Sequence, residues 1–336
     1  MITNALKKIV DGKNLSMNEM VEVMTEIMEG QIDPVLIASF LTALRIKGET
    51  IAEITGATKV MREKSEKIFT GSNRIVDTCG TGGDGANTFN ISTLSAFVTA
   101  GAGVMVAKHG NKAVSSRSGS ADVLSALGVN IQADKTVMKR CLDESGIAFL
   151  FAPNLHPSMK YAGPVRRKLE FRTIFNLVGP LTNPAGASGQ VIGVYDSKWV
   201  VPFANVLADL DSKRVYVVHG QDGLDEITLT GTTKIAELKD GIVSEYTIEP
   251  EDFGFSRCIP EDLKGGTPEE NAKVIRDVLA GDRGPARDIA LLNAGAAISV
   301  GLEISFAEGI KAGIKSIDTG AAKNKLDELV RISSIN

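Results

Sequence analysis

The sequence is poor in cysteine and histidine, with three residues of each type among its 336 residues. Cys79, Cys141 and Cys258 are too few and too scattered to form a disulfide framework. No CxxC pair and no Cys/His cluster with the spacing of a zinc site occurs. We therefore expect reduced cysteines and a cytoplasmic protein.

Long apolar runs and an excess of one charge are also missing. The N-terminus lacks the apolar core of a signal peptide, and no apolar run approaches the roughly 20 residues that span a bilayer. A net charge of −4 provides no general attraction for nucleic acid or for an anionic membrane. We expect neither as a partner, and any anion-binding site must be local.

The N-terminal part of the chain has the pattern of successive helices. Ser16 with Glu19, and Thr50 with Glu53, form two capping boxes, and Asp33 precedes a proline at a first helical position. The apolar faces of these helices need a partner, either the rest of the chain or a second subunit. We expect a homodimer through this helical unit.

Beyond Arg74, short β-branched runs alternate with helical segments. The predicted strands are Ile75–Val76, Val104–Val106, Ile147–Phe151, Val191–Val194 and Val215–Val218, and helices are expected from about Ser92 and from Ser120. Strands separated by helices indicate parallel βαβ units, and ligands bind such sheets at the carboxyl ends of the strands.

Two further segments complete the predicted organisation. Asn154–Ala187 has no clear strand and contains four prolines, which indicates a hinge that crosses back to the helical unit. Thr233–Ile248 is predicted to be a hairpin. The sequence thus predicts an α/β fold: a small, mostly helical domain over residues 1–70, completed by a crossing segment near 160–187, and a larger α/β domain over 71–336 with a central, mainly parallel sheet.

The first candidate site is the turn TCGTGGDGANTFNIST, which follows the strand ending at Asp77. Glycines allow backbone N–H groups to approach an anion closely, and a helix N-terminus adds partial positive charge. The glycines are Gly80, Gly82, Gly83 and Gly85, and the side-chain donors that follow are Asn90, Ser92 and Thr93. This composition is typical of a phosphate site.

The same glycines match the dinucleotide pattern GxGxxG. That fold requires an acidic residue about 20 positions further on to bind the ribose hydroxyls. No aspartate or glutamate occurs between Asp84 and Asp122, which disfavours a nicotinamide cofactor. A tight turn without a ligand would explain the glycines but not the donors that follow them.

The second candidate is the loop KHGNKAVSSRSGSADVL after the next strand. Lys108, Lys112 and Arg117 provide cations among several serines. An exposed basic loop is usually solvated surface, but its place at the end of the neighbouring strand favours a shared anion site. His109 is not interpreted as a base, because a histidine beside glycine in a phosphate loop more often positions backbone.

The third candidate is the acidic doublet Asp225–Glu226, shortly after the predicted strand Val215–Val218. Adjacent carboxylates at a strand end are natural ligands for magnesium, which also binds phosphate oxygens. An isolated acidic pair is more often surface charge. The two anion loops at the same sheet edge favour the magnesium interpretation.

With these motifs together, the chain resembles the anthranilate phosphoribosyltransferase family, whose fold is of the nucleoside-phosphorylase type. The resemblance depends on GTGGD with the downstream NIST, on KHGN followed by SGSADVL, on RTIFNLVGPLTNP and on the paired DE. It covers essentially the whole chain. The sequence departs from the family pattern at Lys168–Phe171, where relatives often have an acidic residue and glycine.

The resemblance implies transfer of the phosphoribosyl group of 5-phosphoribosyl diphosphate (PRPP) to the amine of anthranilate, with magnesium (Mg²⁺), in tryptophan biosynthesis. The products would be N-(5-phosphoribosyl)anthranilate and pyrophosphate. The implied PRPP site comprises Gly80, Gly82, Gly83, Asp84, Thr88, Asn90, Ile91, Ser92, Thr93, Lys108, His109, Gly110, Asn111, Lys112, Ala113, Val114, Ser115, Ser116 and Ser120. The implied anthranilate ligands are Gly80, Asn111 and Arg166, and the implied metal ligands are Ser92, Asp225 and Glu226.

Arg167 and Arg172 lie near Arg166, and only the family pattern favours Arg166 as the partner of the anthranilate carboxylate. No residue is assigned as a dedicated general base, so catalysis is expected to be electrostatic and positional. Two other functions compete with this one. A pyrimidine nucleoside phosphorylase would need no acidic metal pair, and a non-catalytic nucleic-acid-binding relative would need a basic face.

Overall fold

The computed structural model describes residues 1–72, 74–113 and 117–335. Its N-terminal unit consists of the helices α1 (Ile2–Val10), α2 (Met17–Met28), α3 (Pro34–Lys47) and α4 (Ile51–Glu63). Ser16 and Thr50 accept the N–H groups of Glu19 and Glu53, whose carboxylates accept the return bonds, so both predicted capping boxes are confirmed. Asp33 caps α3 as predicted, by accepting the N–H of Val35.

One sheet of seven strands follows. The strands are β1 (Ile75–Asp77), β2 (Met105–Gly110), β3 (Ile147–Phe151), β4 (Gly189–Gly193), β5 (Arg214–Gly220), β6 (Thr233–Lys239) and β7 (Ile242–Ile248). Their order is β3-β2-β1-β4-β5-β6-β7, with parallel pairing from β3 to β5 and antiparallel pairing of β6 and β7. The mainly parallel sheet and the hairpin are confirmed.

The strand ends differ from the sequence prediction. β2 was expected to end at Val106, but it continues to Gly110 because Lys108 and His109 pair with β3 and have buried side chains. Because lysine and histidine are polar, the apolar pattern that predicts a buried strand stops before these two residues. Both residues belong to the candidate second loop, so the sheet itself holds part of that site.

The remaining helices are α5 (Ile91–Gly101), α6 (Ser120–Ala126), α7 (Lys135–Ser145), α8 (Ala152–Leu155), α9 (Met159–Leu169), α10 (Ile174–Val178), α11 (Val200–Asp209), α12 (Pro268–Leu279), α13 (Pro285–Leu302), α14 (Phe306–Asp318) and α15 (Ala321–Ser333). One apolar core joins α5, α13 and α15 to one part of the sheet. A second core joins α1–α4 to α9, α10, α11 and side chains of β4 and β5. Helices thus cover both sides of the sheet.

The segment Asn154–Ala187 contains no strand, as predicted from its prolines. Its helices α9 and α10 pack in the same core as the N-terminal helices. α9 is capped by Glu170, whose φ of 55° lies in the left-handed region that favours glycine. The departure from the family pattern therefore falls on a position where glycine would be the unstrained residue.

Among the described residues, no single helix is long and apolar enough to cross a bilayer, and only α13 and α14 together, bent by 111°, meet the length and composition of a span.

Candidate active site

The glycine-rich turn leaves β1 and lies against the end of β4. Gly82 and Gly83 have φ values of 65° and 75°, which residues with a side chain rarely adopt. The N–H of Thr81 donates to the carbonyl of Gly193 at 2.9 Å, and the N–H of Tyr195 donates to Oγ1 of Thr81 at 3.0 Å. The turn is therefore fixed to the carboxyl edge of the sheet, as the strand pattern predicts.

The acidic doublet reaches this turn from the loop after β5. The N–H of Gly82 donates to Oδ2 of Asp225 at 2.6 Å. A Cβ at Gly80 would lie 2.6 Å from the same oxygen, and a Cβ at Gly193 would collide with the carbonyl oxygen of Asp225. The doublet can approach this closely only because both positions are glycine.

Buried carboxyl groups lie close together at this contact. Burial, and then the nearby charge of Asp84, raise the pKa of Asp225 above its ordinary value. Burial, and then the charge of Asp225, raise the pKa of Glu226 strongly, while Lys108 and the backbone N–H of Ser92 oppose this shift. Buried carboxylates with raised pKa values are stabilised by a cation, so Asp225 and Glu226 fit a hard metal ion such as Mg²⁺.

Lys108 carries a buried positive charge beside the start of α5. Its side chain is 3% exposed, and Nζ donates to the carbonyl of Thr78 at 2.9 Å and to Oγ of Ser92 at 3.1 Å. Ser92 thus connects two predicted site elements, since its hydroxyl accepts a hydrogen bond from Lys108 and its backbone N–H opposes the rise in the pKa of Glu226. The cation and the acidic doublet meet at the N-terminus of α5.

The second loop is organised by Asp122 and Asn111. Oδ2 of Asp122 accepts the N–H groups of Ala113 and Gly119, each at 2.9 Å, while the carbonyl of Asn111 accepts the hydroxyl of Ser120 at 3.3 Å. Asp122 thus caps the start of α6. Of the residues assigned to this loop, Val114, Ser115 and Ser116 lie outside the described residues.

Asn90 ties the two anion loops together. Its Nδ2 donates to the carbonyl of Ser118 at 3.2 Å, and its Oδ1 accepts Nδ2 of Asn271 at 3.0 Å. Two other residues assigned to this turn are buried. Ile91 and Thr93 are each 1% exposed, and their N–H groups donate to the carbonyls of Phe89 and Asn90.

The neighbouring arginines lie in different places. The guanidinium of Arg166 is 5.1 Å from the ring centroid of Phe175, and burial lowers its pKa to about 10. Arg172 stacks on the ring of Tyr195 at 3.8 Å and donates to the carbonyl of Gly83. The structure brings Arg172, which the sequence could not separate from its neighbours, onto the glycine turn.

A buried polar cluster lies behind the site, and only its His109 was assigned a site role from the sequence. The carboxylate of Asp77 accepts the N–H of His109 at 3.1 Å and Nδ2 of Asn183 at 2.7 Å. The Nε2 atoms of His109 and His156 lie 3.2 Å apart. Burial lowers the pKa values of these histidines to about 3 and about 4, so both rings are neutral near pH 7.

The backbone N–H of His109 is fixed by the carboxylate of Asp77 near the end of β2. Asn183 lies in the PLTNP part of the family motif, to which no site role was assigned, whereas His156 had no sequence signal. Ligand atoms of Asp77, Cys79 and His109 lie within 4.8 Å of one another. Since the Asp77 oxygens already accept two hydrogen bonds and burial raises the pKa of the Cys79 thiol, this cluster fits a hydrogen-bonded core better than a metal site.

Comparison with known proteins identifies relatives over the full length. Residues 72–323 match the family described as "Glycosyl transferase family, a/b domain", and residues 3–65 match "Glycosyl transferase family, helical bundle domain". The chain is 53% identical to an anthranilate phosphoribosyltransferase of Acetivibrio thermocellus, over 99% of this chain and 97% of the relative. It is 52% identical to one of Anaeromyxobacter dehalogenans, over 100% and 99%.

Solved structures of anthranilate phosphoribosyltransferases also superpose on this chain. The anthranilate phosphoribosyltransferase of Thermus thermophilus superposes with a TM-score of 0.93 at 41% identity, over 98% of this chain and 99% of the other. The enzyme of Saccharomyces cerevisiae in complex with PRPP and Mg superposes with a TM-score of 0.90 at 27% identity, over 99% and 98%.

Proposed function

This chain belongs to the anthranilate phosphoribosyltransferase family, and from that premise we propose that it transfers the phosphoribosyl group of PRPP to the amine of anthranilate, in tryptophan biosynthesis. The products are N-(5-phosphoribosyl)anthranilate and pyrophosphate. The observation that carries this proposal is the contact between the acidic doublet and the glycine turn, where Asp225 accepts the N–H of Gly82 at 2.6 Å. Negative protein charge beside a diphosphate site makes chemical sense when a cation lies between them.

The proposed metal ligands are Asp225, Glu226 and Ser92. Two features support this assignment. Asp225 and Glu226 are buried acids with raised pKa values, and Gly80 has no Cβ to obstruct the carboxylate of Asp225. Bound there, Mg²⁺ would supply positive charge to the diphosphate as it departs. Cofactors of other kinds are not required by the reaction.

The chain's own residues bind and orient the reactants. In the proposed PRPP site, the glycine turn provides backbone N–H groups, and Lys108 provides a buried positive charge beside Ser92. Asn111 and Arg166 are proposed to orient anthranilate, Arg166 through its carboxylate. The neutral aromatic amine forms the new bond to ribose C1 while the bond from C1 to the diphosphate oxygen breaks, and the resulting ammonium then releases its proton to water. Because the nucleophile is neutral beforehand, no general base is needed, and the main contributions are positioning and leaving-group electrostatics.

The domain division and the assembly are also proposals. We assign residues 1–70 with the crossing segment near 160–187 to the helical domain and residues 71–336 to the α/β domain, supported by the core that α9 and α10 share with α1–α4. For a homodimer through the helical domain, the candidate contact residues are Val10, Val35 and Ile46, which are 70%, 72% and 81% exposed. Sedimentation of Ile46→Glu beside the wild type tests the dimer, because a buried charge at the interface should dissociate it. The free cysteines support a cytoplasmic location.

The decisive assay follows the fluorescence of anthranilate after PRPP and Mg²⁺ are added. Loss of fluorescence that requires all three components supports the proposal. The double variant Asp225→Ala with Glu226→Ala should lose both the turnover and its dependence on Mg²⁺. Product from thymidine and phosphate, with no product from PRPP and anthranilate, would instead identify a nucleoside phosphorylase. Salt-sensitive DNA binding without turnover would identify a non-catalytic relative.

A further inference from the structure

The backbone just beyond the acidic doublet is held by a side chain from α13. Asn293 is 3% exposed, and its Oδ1 accepts the N–H of Ile227 at 2.9 Å. Its Nδ2 donates to the carbonyl of the same residue, Ile227, at 2.9 Å. One amide side chain therefore pairs with both backbone groups of the residue that follows Glu226, as a neighbouring strand would.

The orientation of this amide is itself fixed. Nδ2 of Asn293 also donates to the carbonyl of Ile289, one turn earlier in α13, at 2.9 Å. Both neighbouring carbonyls need a donor and the N–H needs an acceptor, so the opposite orientation of the amide would break all three bonds. α13 is buried along most of its length, which makes it a rigid support for the loop.

The other end of the loop is closed by Asp222. Its Oδ2 accepts the hydroxyls of Thr228 and Thr230, each at 2.5 Å, and its Oδ1 accepts the N–H of Leu224 at 3.2 Å. These bonds shape the loop from within. Asn293 differs because it anchors the loop to a helix of the core, directly after the two carboxylates.

We propose that Asn293 is a positioning residue that presents Asp225 and Glu226 to the cation. This inference rests on the magnesium site of the proposed function. Without the amide, the N–H and carbonyl of Ile227 would be buried without partners, and the loop would relax to recover hydrogen bonds. The carboxylates would then lose their fixed approach to the glycine turn, and partners that orient metal ligands typically contribute about 10- to 100-fold to metal affinity.

A buried asparagine that satisfies backbone groups also contributes to stability, so the test must separate the two roles. The quantity to measure is the ratio of the PRPP dissociation constant in EDTA to that in Mg²⁺, obtained by isothermal titration calorimetry. This ratio reports how strongly the metal site assists PRPP binding and does not depend on turnover. The variants are Asn293→Leu, Asn293→Asp and the control Ile298→Ala, which truncates a fully buried side chain of the same helix that lies beside Gly313 of α14.

Wild-type protein should bind PRPP more tightly in Mg²⁺, and Asn293→Leu should lower the ratio at least about tenfold while changing affinity in EDTA little. Asn293→Asp keeps the acceptor for the N–H of Ile227 but loses the donor, so its ratio should lie between the two. If Asn293→Leu does not fold, the ratio measured for Asn293→Asp still tests the inference. Ile298→Ala should keep the wild-type ratio despite its lower stability.

Two results would overturn the inference: an unchanged ratio in both Asn293 variants, or an equal fall in Ile298→Ala. A wild-type protein that binds PRPP equally in EDTA and Mg²⁺ would instead contradict the metal site of the proposed function, before any variant is compared.

Discussion

Replacing Gly80 with alanine tests the contact on which the site depends. The new Cβ would lie 2.6 Å from Oδ2 of Asp225, and 3.3 Å both from its Cγ and from the carbonyl oxygen of Gly193. Gly80 does not have a positive φ, so alanine introduces no backbone strain of its own. The carboxylate of Asp225 must therefore turn away and give up the 2.6 Å bond from the N–H of Gly82.

The size of the effect follows from that lost bond. A hydrogen bond to a charged group contributes about 1.5–3 kcal/mol, which corresponds to a change of about 10- to 100-fold in affinity. We expect the dissociation constant of PRPP in Mg²⁺ to rise by that factor in Gly80→Ala. Affinity in EDTA should change less, because the displaced group is a proposed metal ligand.

Titration calorimetry with PRPP, in Mg²⁺ and in EDTA, measures both constants. Gly71→Ala is the matched control, because a Cβ there meets nothing within 4 Å and its φ is not positive. It should bind PRPP as the wild type does. Wild-type affinity of Gly80→Ala for PRPP in Mg²⁺ would refute this reasoning, because it would show that PRPP binding does not depend on the position of the Asp225 carboxylate against Gly80.

Three further predictions concern other parts of the chain. Arg172→Ala should mainly raise the KM for PRPP, because it frees the carbonyl of Gly83, whereas Arg166→Ala should raise the KM for anthranilate about tenfold or more by removing a charged hydrogen bond. Burial lowers the pKa of His156 from 6.5 to about 4, so the free energy of unfolding should fall as the pH falls from 6.5 to 4. In urea unfolding, this fall should be smaller by about 3 kcal/mol in His156→Gln than in the wild type. Glu53→Gln should lower the free energy of unfolding by about 3 kcal/mol, because Glu53 and Lys47 form an ion pair at 2.9 Å with side chains only 0% and 6% exposed.

Each of these has an outcome that contradicts it. Equal effects of both arginine variants on both KM values would show that the two side chains do not serve separate substrates. Parallel pH profiles for wild type and His156→Gln would mean that the ring does not stay neutral in the folded state. For the ion pair, the control is Asp143→Asn, which breaks the exposed pair with Lys139 and should cost less than about 1 kcal/mol; an equally small loss in Glu53→Gln would contradict the argument.

Much of the fold was predictable because local signals agree with it. The capping boxes at Ser16 and Thr50 and the apolar runs such as Ile147–Phe151 each fix an element within a residue or two. The alternation of strands and helices then implies a parallel sheet whose carboxyl ends share an edge. The end of β2 was missed because Lys108 and His109 interrupt the apolar pattern while remaining buried.

The site was predictable where residue types reveal chemistry. Glycines in a turn and paired carboxylates can be recognised without a structure, and the structure brings Gly82 and Asp225 into contact. The supporting residues were not predictable, because a buried Asn293 or Asn183 looks like any polar residue until its partners are known. Nor could spacing alone decide which of the neighbouring arginines reaches the glycine turn, since that depends on how the chain continues beyond α9.

The most direct test of the account is to locate the metal. Crystals grown with PRPP and Mn²⁺ in place of Mg²⁺ allow the ion to be identified by its anomalous scattering. We predict a peak in direct contact with a carboxylate of the doublet Asp225–Glu226 and with the diphosphate held at the glycine turn. An ion bound to the diphosphate without either carboxylate, or a diphosphate bound away from the turn at Gly80–Gly83, would contradict the account.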